Sequence, residues 1–119
     1  MTTRKQTGER GEDIAAAYLV TNGYTIVARN WRCPAGELDL IAETENTLVF
    51  VEVRTRRSSR YGTPEESITT AKQSKLVELA QTYLQQMQPP HPAWRIDVVA
   101  VWLRQGQPHI NHIENAVGW

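Results

Sequence analysis

Residues 36–54 read GELDLIAETENTLVFVEVR. Two runs, Glu37 to Glu43 and Thr47 to Arg54, flank a short polar connection, the pattern of an antiparallel β-hairpin. A two-residue loop at Glu45-Asn46 pairs Thr44 with Thr47. Carried outward, that pairing sets Asp39 opposite Glu52 and Glu37 opposite Arg54. Because side chains alternate along a strand, Glu37, Asp39 and Ile41 are expected on one face. On the partner strand Leu48, Phe50, Glu52 and Arg54 share a face, while Val49, Val51 and Val53 point the other way into core. Directly opposed residues hold their Cβ atoms roughly 4.5 to 5.5 Å apart, so Asp39 and Glu52 bring two carboxylates almost into contact.

Like charges at that distance are destabilising, and a divalent cation such as Mg²⁺ offsets them most simply, since it favours oxygen ligands and one or two carboxylates plus water. A shared proton or a slip in register would also relieve the repulsion. Arg54, two residues beyond Glu52 on the same face, adds a fixed cation able to bind a phosphate bidentately. Carboxylates, metal and cation together describe phosphodiester chemistry, in which the metal acidifies a water and polarises the phosphate. The same spacing also fits a plain cross-strand Glu37–Arg54 salt bridge, with Asp39 and Glu52 solvated on an open sheet face.

Outward from the hairpin the elements alternate. Ile14, Ala15, Tyr18 and Leu19 recur at helical spacing from about Gly8 to Asn22, and Gly23 stands where a left-handed cap belongs. Tyr24 to Trp31 is a strand by composition, ending at the Cys33-Pro34-Ala35-Gly36 turn. After Gly62-Thr63-Pro64, the segment Thr70-Ala71-Lys72-Gln73 reads as a capping box. It opens a helix with Leu76, Leu79, Ala80, Tyr83 and Leu84 on one face, and Pro89, Pro90 and Pro92 stop it. Trp94 to Leu103 is apolar on both faces, as in a covered central strand, and His109 to Trp119 offers a weaker edge strand and tail. The order αβββαβ, with a possible last strand, implies an α/β mixed sheet with a helix on each side and the second helix as a crossover.

The chain of 119 residues suits one domain with one core. Its 13 basic and 13 acidic residues cancel, so overall charge identifies no partner; the local clusters Arg4, Lys5, Arg10 and Arg54, Arg56, Arg57, Arg60 are more informative. Cys33 is the only cysteine, which excludes an intramolecular disulfide, and no Cys/His group has zinc spacing. Neither a signal peptide nor a membrane span is legible, and a cytoplasmic protein with no membrane partner is expected.

Gly36-Glu37-Leu38-Asp39-Leu40-Ile41 followed by Phe50-Val51-Glu52-Val53-Arg54 resembles the signature of the YraN family of uncharacterised bacterial proteins. Gly11-Glu12, Tyr24, Asn30, Lys72 and Arg95-Ile96-Asp97-Val98-Val99 extend the likeness over nearly the whole chain. That family is similar in turn to the restriction-endonuclease-like superfamily, which includes archaeal Holliday-junction resolvases. The resemblance implies a restriction-endonuclease-like mixed sheet flanked by helices. It further implies Asp39 and Glu52 as metal-binding acids for Mg²⁺ or Mn²⁺, and Glu12 as an additional acid from the first helix. The superfamily's Glu-x-Lys element stands here as Glu52-Val53-Arg54. Arginine keeps the charge but effectively never gives up its proton, so it cannot serve as a general base.

Three functions follow as expectations. The first is a divalent-metal-dependent endonuclease: Asp39 and Glu52 hold the metal, Glu12 assists, Arg54 contacts the scissile phosphate and Glu37 orients Arg54 or a water. Arg56, Arg57, Arg60 and Lys72 contact the nucleic-acid backbone, the nucleic acid being DNA and, by analogy alone, branched or structured DNA. The second is a catalytically degenerate nucleic-acid-binding module. The third is an interaction protein, a homodimer built on apolar strands and Trp119. Elsewhere, Asp97 is expected to form a buried hydrogen bond or to pair with Arg95, and His91, His109 and His112 to be solvated. Trp31, Trp94, Trp102 and Trp119 are expected in core or interface.

Overall fold

Glu45 and Asn46 both adopt left-handed backbone, at φ 48° and 62°, which makes the two-residue primed turn whose twist suits a hairpin. Thr44 therefore pairs with Thr47, and the register runs outward through Ala42 with Val49 to Leu40 with Val51. In this computed structural model residues 3–57, 68–88, 93–103 and 107–117 are described. Arg60, the Gly62-Thr63-Pro64 segment, the three prolines after the second helix, His91 and Trp119 lie outside them.

The elements in chain order are α1 (Arg4–Thr21), β1 (Thr25–Cys33), β2 (Gly36–Thr44), β3 (Thr47–Arg56), α2 (Thr70–Gln85), β4 (Trp94–Trp102) and β5 (His109–Ile113). The sheet order follows the sequence, β1-β2-β3-β4-β5. Neighbours are antiparallel except β3 and β4, which α2 joins as a parallel crossover. This is a restriction-endonuclease-like α/β architecture, and the edge strand expected from His109 onward is present. No helix among the described residues is long and apolar enough to cross a membrane.

α1 begins with a capping box earlier than the apolar periodicity suggested. The Thr3 hydroxyl accepts from the Gln6 N–H and the Gln6 side chain accepts from the Thr3 N–H, so the helix extends four residues ahead of Gly8. Gly23, at φ 90°, ends it as expected. α2 is capped by Thr69, one residue before the expected Thr70, and the Thr69 hydroxyl accepts from the Lys72 N–H.

Two cores sandwich the sheet. Ala15, Leu19 and Tyr24 pack with Leu40, Ala42, Val49, Val51, Val99 and Val101 on the α1 side. Leu38, Ile41, Leu48, Phe50 and Ile96 meet Leu76, Leu79 and Ala80 on the α2 side. Thus Leu38 and Leu40 lie in different cores, and the strict alternation that put Glu37, Asp39 and Ile41 on one face is broken at Asp39. On β1, Arg29 pairs with Leu40 and Trp31 with Leu38, and Asn30 between them sits at φ 52°, a left-handed residue inside a strand; the register itself shifts between Ile26 and Ala28.

Candidate metal and phosphate site

The break at Asp39 is what builds the site. β2 and β3 stop pairing at Leu40 and Val51, and the Asp39 carboxylate takes over from the backbone by accepting the Val53 N–H at 2.9 Å. Glu52, on the next strand, lies in hydrogen-bonding contact with Asp39 and is 4% exposed. Burial, then the neighbouring Glu52 charge, pushes the Asp39 carboxyl up to about 8, although the Val53 N–H favours its ionised form. A proton on Asp39 relieves the contact as a cation would.

Glu52 is surrounded by cations. Arg54 Nη2 lies 3.0 Å from its Oε2, and Lys72 Nζ reaches the same oxygen at 3.3 Å from the first turn of α2. The expected Glu37–Arg54 pairing is not formed. Instead Glu37 accepts from Arg32 Nε at 3.1 Å, because the two are cross-strand partners in the β1–β2 register. With its amide nitrogen toward the acids, Asn30 donates to Glu12 at 3.0 Å and to Glu37 at 2.8 Å. Nothing in the sequence spacing announces that bridge, since it depends on a left-handed strand residue.

Glu12 is half-buried rather than an exposed helical acid. Burial raises its pKa most, Arg29 lowers it, and Glu37 raises it again. Gly11 makes this approach possible, for a Cβ built there would overlap the Thr55 side chain of β3. Glu12 acts on Asp39 through space, yet no group of three His, Cys, Asp or Glu among the described residues is close enough to hold one ion. The pair Asp39 and Glu52 is thus the candidate donor set. It fits a hard divalent cation: both ligands are carboxylates, their contact costs energy unless a positive charge or proton intervenes, and water can complete the shell. Arg54 Nε is buried without a hydrogen-bond partner, an orphan donor beside that pair.

A cavity of about 710 Å³ opens beside Asp39, lined by Glu12, Asp39 and Arg54 together with Arg4, Arg56 and Arg57. Lys72 approaches from the opposite helix, through Glu52. Away from this site, Asp97 is fully buried and takes Arg95 Nε at 3.0 Å, as the sequence suggested, plus the Asn115 N–H at 2.9 Å. His112 is not solvated: its Nε2 lies 2.8 Å from Asp97 and its Nδ1 3.0 Å from the Tyr18 hydroxyl, because β5 folds it against α1. His109 is exposed. Trp31 stacks edge-on with Tyr83, Trp94 stacks likewise with Phe50, and Trp102 is buried.

A family model described as "Uncharacterised protein family UPF0102" matches residues 11–101, from Gly11 on α1 to Val101 on β4. A UPF0102 protein of Dehalococcoides mccartyi is 45% identical over 115 residues, covering 97% of this chain and 95% of its own length. One from Bifidobacterium longum is 49% identical over 117 residues, 96% of this chain and 94% of its own. One from Chloroflexus aurantiacus is 49% identical over 119 residues, 98% of this chain and 97% of its own.

Proposed function

Because this chain belongs to UPF0102, the YraN family of uncharacterised proteins, its activity has to be read from its side chains, and we propose that it is a divalent-metal-dependent endonuclease hydrolysing phosphodiesters of nucleic acid. The observation that carries this reading is the buried Asp39–Glu52 carboxylate contact, flanked by Arg54 and Lys72, with Asp39 and Arg54 lining an arginine-rich cavity.

Asp39 and Glu52 would hold Mg²⁺ or Mn²⁺, which supplies the Lewis acidity that polarises a phosphate and acidifies water. Arg54 binds phosphate oxygens and stabilises the charge that develops on them, a role its permanent charge allows. It takes no part in proton transfer. Lys72 fills that gap: its ammonium, beside the same carboxylate, carries a proton that can pass to the leaving oxygen. Asn30 fixes the carboxyl of Glu12, which adds negative charge next to Asp39.

A second reading has its own observation. Both cations nearest the acids are already ion-paired with Glu52, which suits a site that binds nucleic acid without cleaving it. Calorimetric titration with Mg²⁺ and Mn²⁺, run on wild type, Asp39→Asn and Glu52→Gln, separates the two when each protein is then incubated with branched and single-stranded DNA. Metal binding lost in both variants, and cleavage by wild type alone, is the expected result. DNA binding without metal binding or cleavage would leave the degenerate module. Lys72→Met should lower kcat more than it changes KM if the lysine transfers a proton.

A further inference from the structure

Among the described residues, the lysines and arginines fall into two sets. Arg29, Arg32, Arg54, Lys72, Lys75 and Arg95 each meet a carboxylate at 2.7 to 3.3 Å. No carboxylate among the described residues pairs with Arg4, Lys5, Arg10, Arg56 or Arg57. These five are not scattered: three stand on the first two turns of α1 and two at the end of β3. Arg4, Arg56 and Arg57 line the cavity that Glu12 and Asp39 also line. Its two walls are tied together, since Arg57 Nε donates to the Thr7 hydroxyl at 3.1 Å and α1 presses on Thr55 at Gly11.

Three guanidinium groups that pair with no carboxylate among the described residues repel one another, and a polyanion supplies a counter-charge. The N–H groups at the start of α1 are already partly satisfied by Thr3 and Gln6, so the attraction rests on the arginines. Size narrows the ligand. About 710 Å³ lies in the range of clefts that enclose a small ligand, roughly 300–1,000 Å³. Duplex recognition instead spreads over a surface on the order of 1,000–2,500 Å². A cleft of that volume matches a short run of one strand better than the broad face a duplex requires.

We propose that this cleft is a groove for an unpaired nucleic-acid strand, with one phosphate at Arg54 beside Asp39 and the adjoining phosphates on Arg4, Arg56 and Arg57. The assignment deepens the phosphodiesterase reading and takes its polarity from it. Flaps, frayed ends and single-stranded arms are the ligands, not uninterrupted duplex.

Fluorescence anisotropy with a short labelled single strand and the blunt duplex of the same sequence tests this, in EDTA so that nothing is cleaved, over a salt series. Wild type should bind the single strand more tightly. Arg4→Ala and Arg57→Ala should each flatten the plot of log K against log salt by about 0.7. Arg4 is exposed, so its variant should keep the wild-type circular dichroism whatever the loss of the Thr7 bond does to Arg57→Ala. Duplex bound as tightly as the single strand, or an unchanged slope in Arg4→Ala, would overturn the proposal. If the strand binds through these arginines but is never cut with Mg²⁺ or Mn²⁺, the groove stands and the nuclease reading fails. If wild type cuts and the arginine variants bind and cut like it, the groove fails and the nuclease reading stands.

Discussion

Asp39 does two jobs with one carboxylate, closing the hairpin where its ladder ends and facing Glu52 across the gap. Burial and that neighbour raise its carboxyl to about 8, from about 3.9 in an unfolded chain. The sign of the consequence follows from linkage. Folding takes up a proton in this interval, so stability should fall as pH rises from about 4 through about 8, with the full penalty present above the folded value and none below the unfolded one. Asp39→Asn keeps an acceptor for the Val53 N–H and removes the penalty. In urea without metal it should therefore outlast wild type in alkaline solution and match it in acid. Added Mg²⁺ should raise the alkaline midpoint of wild type alone, because a ligand of the native state stabilises it by mass action. Equal midpoints at every pH would mean that the two carboxylates are not in conflict.

At the scale of elements, the position of α1 matters more than its propensity. The helix meets β3 at Gly11, and only a residue without a Cβ fits against Thr55. Gly11→Ala would improve helix propensity by about 1 kcal/mol, yet the overlap forces helix and strand apart. We expect a net loss of about 1–3 kcal/mol, the usual cost of overpacking. In a Thr55→Ala background that loss should shrink, and a double-mutant cycle measured by chemical denaturation reads the coupling. Additive losses would place the strain elsewhere. The displaced helix would also carry Glu12 away from Asp39, so metal affinity should weaken in Gly11→Ala even where the protein stays folded. On β1 the comparable device is Asn30, whose left-handed backbone turns the strand and whose amide holds Glu12 and Glu37.

Across the whole molecule, Asp97 fastens the sheet to its surroundings. From β4 it holds Arg95, His112 of β5 and the Asn115 N–H, and through these it reaches Tyr18 of α1 and Tyr24 before β1. Burial alone would raise its carboxyl. The hydrogen bonds from His112, Arg95 and Asn115 outweigh it and hold the group below the usual carboxylate range. Its contribution is therefore present above the unfolded pKa and lost as pH falls through the lower folded value. Asp97→Ala leaves buried partners uncompensated and should cost about 3–5 kcal/mol near neutral pH. In urea unfolding the gap to wild type should close in strong acid, and a gap independent of pH would assign the loss to packing instead. The residues that built this fold were largely legible in order: hydrophobic period, the turn at Glu45-Asn46 and the cap at Gly23 act over a few residues, so the sequence alone determined the elements, the hairpin register and the meeting of Asp39 with Glu52. What lay beyond it was set by contacts between distant segments. The approach of Lys72 to Glu52, the burial of His112 and the close seat of α1 on Thr55 all depend on how helices and the edge strand dock on a twisted sheet, and the bridge from Glu12 to Glu37 depends on one left-handed residue, Asn30, whose backbone angle no local pattern specifies.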